Sequence, residues 1–170
     1  KESCLRSETT VKVFDQMRKL QSYTDEGSPG RDWNVATGMV IEGKAGFQIM
    51  GDWAKGEFTA AGKVPGVDYY CAPTPSNNGY LYNVDSFIFY KTSDPEKQEG
   101  QKLLAKLMMG KNFQKVFNLY KGSIPARLDV PMDEFDKCAK TSNSDIKTAG
   151  ASGGLVPSFA HGMAQGNTMK

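Results

Sequence analysis

The sequence predicts an α/β fold in which helices flank a small mixed sheet, and two observations carry this prediction. Residues 43–53, GKAGFQIMGDW, and residues 83–90, NVDSFIFY, show the period-2 alternation of strands. Segments with apolar residues at helical spacing precede, separate and follow these two stretches. A chain of 170 residues is long enough to bury its own core, so residues 1–170 are expected to form a single domain.

Composition excludes several classes of function. The chain carries 21 basic and 19 acidic residues, a net charge of +2, so nothing favours a nucleic acid as partner. No apolar run approaches the roughly 18 residues of a membrane span. The opening KESCL has neither a Met nor the pattern of a signal peptide, which indicates a processed or excised piece.

Local signals place the helices in order. The first helix is expected to begin at Ser7 or Thr9 and a second to end at Gly43. Four apolar residues share one face of the first helix: Val11, Phe14, Met17 and Leu20. Asp94 followed by Pro95 predicts a third start, interrupted at Gly110 and resumed until Gly122. A short helix is expected over residues 131–139, followed by a Gly- and Ser-rich tail over 141–170.

The first predicted strand ends at a tight turn. Gly51 permits that turn, Asp52 is a suitable helix N-cap, and Trp53 would follow in the first helical turn. Ligands of open α/β sheets bind beyond the carboxyl ends of strands. Trp53 is therefore either the floor of a binding cleft or a plug over the core, and its position alone favours neither.

Two charged residues also fall at the ends of predicted elements. Asp85 lies at the entrance of the second predicted strand, where an unpaired buried carboxylate would be costly. It is either a solvated strand end or an acceptor that faces a ligand. Lys121 precedes Gly122 at a helix end, where a lysine ordinarily compensates the helix dipole.

Cysteine and histidine usage does not favour a metal site. The three cysteines are Cys4, Cys71 and Cys138, no CxxC pair occurs, and His161 is the only histidine. No cofactor is expected. The cysteines are either three buried thiols or a Cys71–Cys138 disulfide with Cys4 unpaired, and their spacing does not decide between these alternatives.

The segment GASGG at residues 150–154 matches the G-x-S-x-G signature of hydrolases. That signature needs a strand before the serine, a helix after it, and an acid between the serine and the histidine. Neither flank fits, and no acid lies between Ser152 and His161. We therefore expect a protein that is not an enzyme.

The remaining polar and aromatic residues at element ends have the composition of a sugar site. A flat apolar sugar face packs on an aromatic ring, and its hydroxyls pair with charged side chains. The candidates are Trp53, Asp85, Lys121 and His161, with Trp33 and Asn34 as additions.

Four segments together resemble the extracellular solute-binding proteins of bacterial ABC sugar importers, in particular the glucose/mannose-binding branch. They are GKAGFQIMGDWAKGEF, NVDSFIFYK, FQKVFNLYKGSIPARLDV and LVPSFAHGMA, and the resemblance extends from about Thr9 to about Met163. The loop PTPSNNG departs from the Gly-Thr expected after Pro75. The resemblance implies one lobe of a type II periplasmic-binding-protein fold, the second of two, with the first lobe absent.

The resemblance also implies a function. Trp53, Asp85, Lys121 and His161 would contact a glucose-type hexose, and Trp33 would lie at the cleft edge. It implies a Cys71–Cys138 disulfide, a periplasmic or cell-surface location, and transporter membrane subunits and a first lobe as partners. The alternative is a truncated lobe that acts as a protein-interaction or self-association module, since a lone lobe exposes apolar faces.

Overall fold

A computed structural model of the chain describes residues 5–75 and 79–158. The chain divides into two compact units, residues 1–36 and residues 37–170.

The first unit contains helix α1, Glu8–Gln21, and the start of helix α2, Trp33–Ile41. The hydroxyl of Ser7 caps α1 by accepting a hydrogen bond from the backbone N–H of Thr10, as the sequence predicts. The expected apolar stripe is present on α1, but no residue of this helix is buried. After α1, two N–H groups of Arg31 donate to the Asp25 carboxylate and lower the pKa of Asp25 to about 2.

The second unit is a set of helices around a small parallel sheet. Its strands are β1, Tyr80–Tyr82, and β2, Leu155–Pro157, with Tyr80 opposite Leu155. A 3₁₀ turn, Asp52–Ala54, leads into α3, Lys55–Ala60. Three further helices follow: α4, Pro95–Met108; α5, Lys111–Lys121; and α6, Lys137–Ser152. The predicted α/β class, with a small sheet flanked by helices, is confirmed.

The ends of α4 and α5 lie where the capping signals predict them. The Asp94 carboxylate accepts from the backbone N–H groups of Glu96 and Lys97, and Pro95 is the first residue of α4. Gly110 separates α4 from α5. Gly122 ends α5 with a φ of 87°, a conformation that a residue with a Cβ rarely adopts.

The buried core of the second unit lies beneath the start of α6. It consists of Val130, Phe135 and Ala139, and Leu119, Ile124 and Met132 pack against it. A disulfide joins Cys71 to Cys138 in the first turn of α6, with the two Cα atoms 5.8 Å apart. This is the pairing that the family resemblance implies.

A partly buried ion pair connects α3 to α6. The Lys55 ammonium, whose side chain is 7% exposed, donates to the Asp136 carboxylate at 2.8 Å. The other oxygen of Asp136 caps α6 by accepting from the backbone N–H of Ala139. Burial, together with the Asp136 charge, raises the pKa of Tyr69 to about 12. The Tyr69 ring stacks on Phe58, with centroids 4.1 Å apart.

The two longest predicted strands are not formed, and those predictions are wrong. Residues 43–51 and 83–90 carry no regular secondary structure, and Phe47 and Ile88 are 95% and 77% exposed. A strand requires a neighbour to accept and donate its ladder hydrogen bonds. Within the described part of the chain, only β1 and β2 form such a ladder, and a further bridge from Pro65 to Tyr69 is isolated.

The prediction for residues 131–158 is also partly wrong, and the rest of the predicted tail lies outside the described residues. Instead of a short helix over 131–139, residues 131–136 form turns, and α6 begins at Lys137 and continues to Ser152. The cause is the Asp136 cap, together with the buried face formed by Ala139, Asn143 and Ala149. Burial of this face stabilises a helix in a segment whose Ser and Gly content indicates a loop.

Candidate functional site

The turn that carries Trp53 is bonded to the segment after α5. Asp52 does not cap a helix as predicted, because Gly51 occupies that position. Its carboxylate instead accepts from the backbone N–H of Ile124 at 3.0 Å. The bond connects two segments that are 72 positions apart along the chain. It fixes the half-buried Trp53 next to the end of the helix that carries Lys121.

Two glycines allow the backbones of α3 and α5 to approach closely at the same place. A Cβ at Gly56 would lie 3.0 Å from the carbonyl oxygen of Lys121. A Cβ at Gly122 would lie 2.6 Å from the backbone nitrogen of Gly56. Neither position tolerates a side chain without backbone movement. The start of α3 and the end of α5 are therefore in direct contact beside Trp53.

Lys121 and Asp85 form an ion pair in this region. The Lys121 ammonium donates to Asp85 Oδ2 at 2.6 Å, and the Asn83 amide donates to Asp85 Oδ1 at 3.2 Å. The hydrogen bond from Lys121 is the largest cause of a lowered pKa at Asp85, and Asn83 adds to it. The Asp85 side chain is 66% exposed. The pair is therefore accessible to a polar ligand.

The ammonium of Lys121 also lies over an aromatic ring. Its Nζ is 5.8 Å from the centroid of the Phe117 ring, which lies one helical turn earlier on α5. Such a cation–π contact restricts the ammonium to one side of the helix. The contact and the salt bridge to Asp85 together orient the Lys121 side chain.

The six predicted site residues have different outcomes. Asp85 and Lys121 are in contact, and Trp53 lies on a turn bonded to the segment that follows Lys121. Trp33 is the first residue of α2, in the first unit, where its backbone N–H donates to the Asp32 carboxylate. His161 lies outside the described residues. The side chain of Asn34, the weaker addition, accepts from the backbone N–H of Val35.

The sequence did not predict a role at the site for two polar residues beside Asp85. Ser158 Oγ donates to Asn83 Oδ1 at 2.9 Å, and the backbone N–H of Ser158 donates to the carbonyl of Tyr82. Ser158 thus connects the end of β2 to the amide that orients Asp85. The position of Asn83, two residues before Asp85, is a local signal for the hydrogen bond between their side chains. The bond between Asn83 and Ser158 has no such local signal, because the two residues are 75 positions apart.

Ser152 of the G-x-S-x-G match has no catalytic setting. It is the last residue of α6, and its hydroxyl donates back to the carbonyl of Thr148 at 3.1 Å. A helix precedes it and a strand follows it, the reverse of a nucleophile elbow. Among residues 5–75 and 79–158, no three His, Cys, Asp or Glu side chains are placed to hold a metal ion. In the same residues no helix has the length and apolar character needed to cross a membrane.

Residues 2–146 match the model of a family described as bacterial extracellular solute-binding protein. The chain belongs to this family. The chain is 47% identical over 167 residues to a probable sugar-binding periplasmic protein of Brucella suis, covering 98% of this chain and 39% of the relative. A protein of Rhizobium meliloti with the same description is 45% identical, covering 99% of this chain and 41% of the relative.

A more distant relative is described as an uncharacterized ABC transporter extracellular-binding protein, from Pyrococcus horikoshii. It is 33% identical over 157 residues, covering 92% of this chain and 34% of the relative. The chain thus spans about two fifths of the length of the first relatives. The predicted membership of the bacterial extracellular solute-binding proteins is confirmed. Because solute-binding proteins are not enzymes, the family also supports the expectation of no catalysis.

Proposed function

We propose that the chain is the second lobe of an exported sugar-binding protein that supplies a glucose-type hexose to a bacterial ABC importer. The observation that carries the proposal is the exposed Asp85–Lys121 pair beside the turn that bears Trp53. The relatives from Brucella suis and Rhizobium meliloti, both described as probable sugar-binding periplasmic proteins, support the same ligand class. The glucose preference rests on the resemblance to the glucose/mannose-binding branch.

The chemistry of these three side chains suits a pyranose. The indole of Trp53 offers an apolar face to the C–H groups of the ring. Sugar hydroxyls would donate to the Asp85 carboxylate and accept from the Lys121 ammonium, which are charge-assisted hydrogen bonds. The ion pair between them is exposed, so breaking it for a ligand costs only about 1 kcal/mol or less.

We extend the proposal to the other predicted residues and partners. His161 would complete the sugar contacts, and Trp33 would lie at the cleft edge. A first lobe would close the cleft from the other side, and membrane subunits of the importer would receive the loaded protein. The exposed apolar residues of 43–51 and 83–90 are consistent with a second polypeptide surface that covers them. The Cys71–Cys138 disulfide supports an oxidising compartment such as the periplasm.

Calorimetric titration with glucose, mannose, xylose and glutamine tests this function. We expect weak hexose binding, with Kd on the order of millimolar, because one lobe buries only part of a ligand. Lys121→Met and Asp85→Asn are each expected to weaken that binding by about tenfold. Lys115→Met is the matched control, since Lys115 lies on the same helix and pairs with Glu134 at 2.7 Å.

Two outcomes would contradict the proposal. Tight binding of glutamine without binding of any hexose would exclude the sugar assignment. Equal losses of affinity in Lys115→Met and Lys121→Met would show that charge on α5, and not the pair with Asp85, determines binding.

A second candidate function is self-association. Ile88 and Tyr90 are more than three-quarters exposed, as is Phe47 in the other irregular segment, which favours burial against another chain. Light scattering over a range of concentrations distinguishes the candidates. A stable dimer that binds no sugar would favour self-association, and a monomer that binds hexose would exclude it.

A further inference from the structure

The indole of Trp53 lies over the backbone of Gly51. A Cβ built on Gly51 would meet three consecutive atoms of the six-membered ring, Cζ3, Cη2 and Cε3, the farthest of them at 2.5 Å. The three distances are similar to one another. They place the position of this Cβ above the face of the ring, since a point beyond the ring edge would be much closer to one atom than to its neighbours. The ring therefore occupies the volume that a side chain at residue 51 would need.

Backbone conformation does not explain the glycine. Gly51 has φ −67° and ψ 162°, which is extended backbone that any residue adopts. The steric conflict with the Trp53 ring is the restriction that the structure shows at this position. By contrast, a Cβ on Gly46, in the same irregular segment, would meet no atom within 4 Å.

We propose that Gly51 is a positioning residue that sets the orientation of the Trp53 indole. One face of the ring rests on the Gly51 backbone, so a ligand could stack only on the opposite face. Asp52 fixes the turn between these two residues through its bond to Ile124. The identification of the ligand as a hexose rests on the proposed function, whereas the packing of the Trp53 ring on Gly51 does not.

Pre-organisation is the physical consequence. An aromatic ring that is already held in its binding orientation loses little rotamer freedom when a sugar stacks on it. A side chain at residue 51 would push the ring away from the backbone and tilt its opposite face. Gly51→Ala should therefore weaken sugar binding indirectly, through the orientation of the Trp53 ring.

The first test uses protein labelled with 5-fluorotryptophan, whose ¹⁹F NMR spectrum has one signal for each of the two tryptophans. Trp53→Phe assigns the signals. Gly51→Ala is expected to shift the Trp53 signal and leave that of Trp33 in place, whereas Gly46→Ala moves neither. Hexose titration followed by the same signal is expected to give an affinity about tenfold lower in Gly51→Ala and unchanged in Gly46→Ala.

A double-mutant cycle on thermal stability is independent of any ligand. Gly51→Ala should lower the melting temperature when Trp53 is present and leave it unchanged in Trp53→Ala, because the conflict requires the ring. An equal loss in both backgrounds, or an unmoved Trp53 signal in Gly51→Ala, would overturn the proposal. Absence of hexose binding would refute the sugar assignment and leave the cycle and the NMR shift to decide the role of Gly51.

Discussion

The second unit contains two kinds of apolar segment, and their contrast explains much of the fold. Phe58 is 8% exposed and stacks on Tyr69, whereas Phe47 is 95% exposed. Both side chains are equally hydrophobic, so composition does not separate them. Phe58 lies on a helix that is connected to α6 through the Lys55–Asp136 pair. Phe47 lies on an irregular segment that forms no strand. Apolar patterning therefore produces burial only where a partner element is available.

The largest expected effect concerns the covalent connection of the packed region. Cys71→Ser with Cys138→Ser opens a disulfide between residues 67 positions apart, and the chain-entropy estimate for such a loop is about 4 kcal/mol. We expect the free energy of unfolding, measured in urea, to fall by this amount. Wild-type protein in reducing agent should match the double variant. A loss below about 1 kcal/mol would show that noncovalent contacts alone hold α6 in place.

The next effect concerns the ion pair between the buried Lys55 and the partly exposed Asp136. Asp136→Asn keeps a side-chain oxygen to cap α6 but removes the charge opposite Lys55, which is buried. We expect a loss of about 3 kcal/mol in urea unfolding, since an unpaired buried ammonium is costly. Glu134→Gln is the control, because its exposed pair with Lys115 is worth about 1 kcal/mol or less. Equal losses in the two variants would contradict the burial of Lys55.

Helices were predictable because their signals are local. Ser7, Asp94 and Gly122 act on backbone groups within four positions along the chain, and each lies where the sequence places it. Strand pairing is not local, since β1 pairs with a segment 75 positions later. The alternation in residues 83–90 indicates that this segment is suited to form a strand. It does not indicate whether a neighbouring strand is available to pair with it. Both erroneous strand predictions have this cause.

The candidate site shows the same limit. Residue types identified Asp85 and Lys121 as suitable for a sugar, and the family resemblance joined them into one set. No pattern could have predicted that Asp52 bonds Ile124 instead of capping a helix, because the partner lies on another element. The role of Asn83 depends likewise on Ser158. Side-chain roles at the site follow from tertiary contacts, which spacing does not encode.

The smallest expected effect tests the contrast between the two regions directly. Phe47→Ala should change the free energy of unfolding by less than about 0.5 kcal/mol, because it removes an exposed ring that packs on little. Phe58→Ala, the same substitution in the packed region, should cost about 3 to 5 kcal/mol. Both are measured by urea unfolding at the same protein concentration. A loss above about 1 kcal/mol in Phe47→Ala would mean that residues 43–51 are covered in solution. If the loss grows with protein concentration, a second copy of the chain covers them; if it does not, the chain itself covers them.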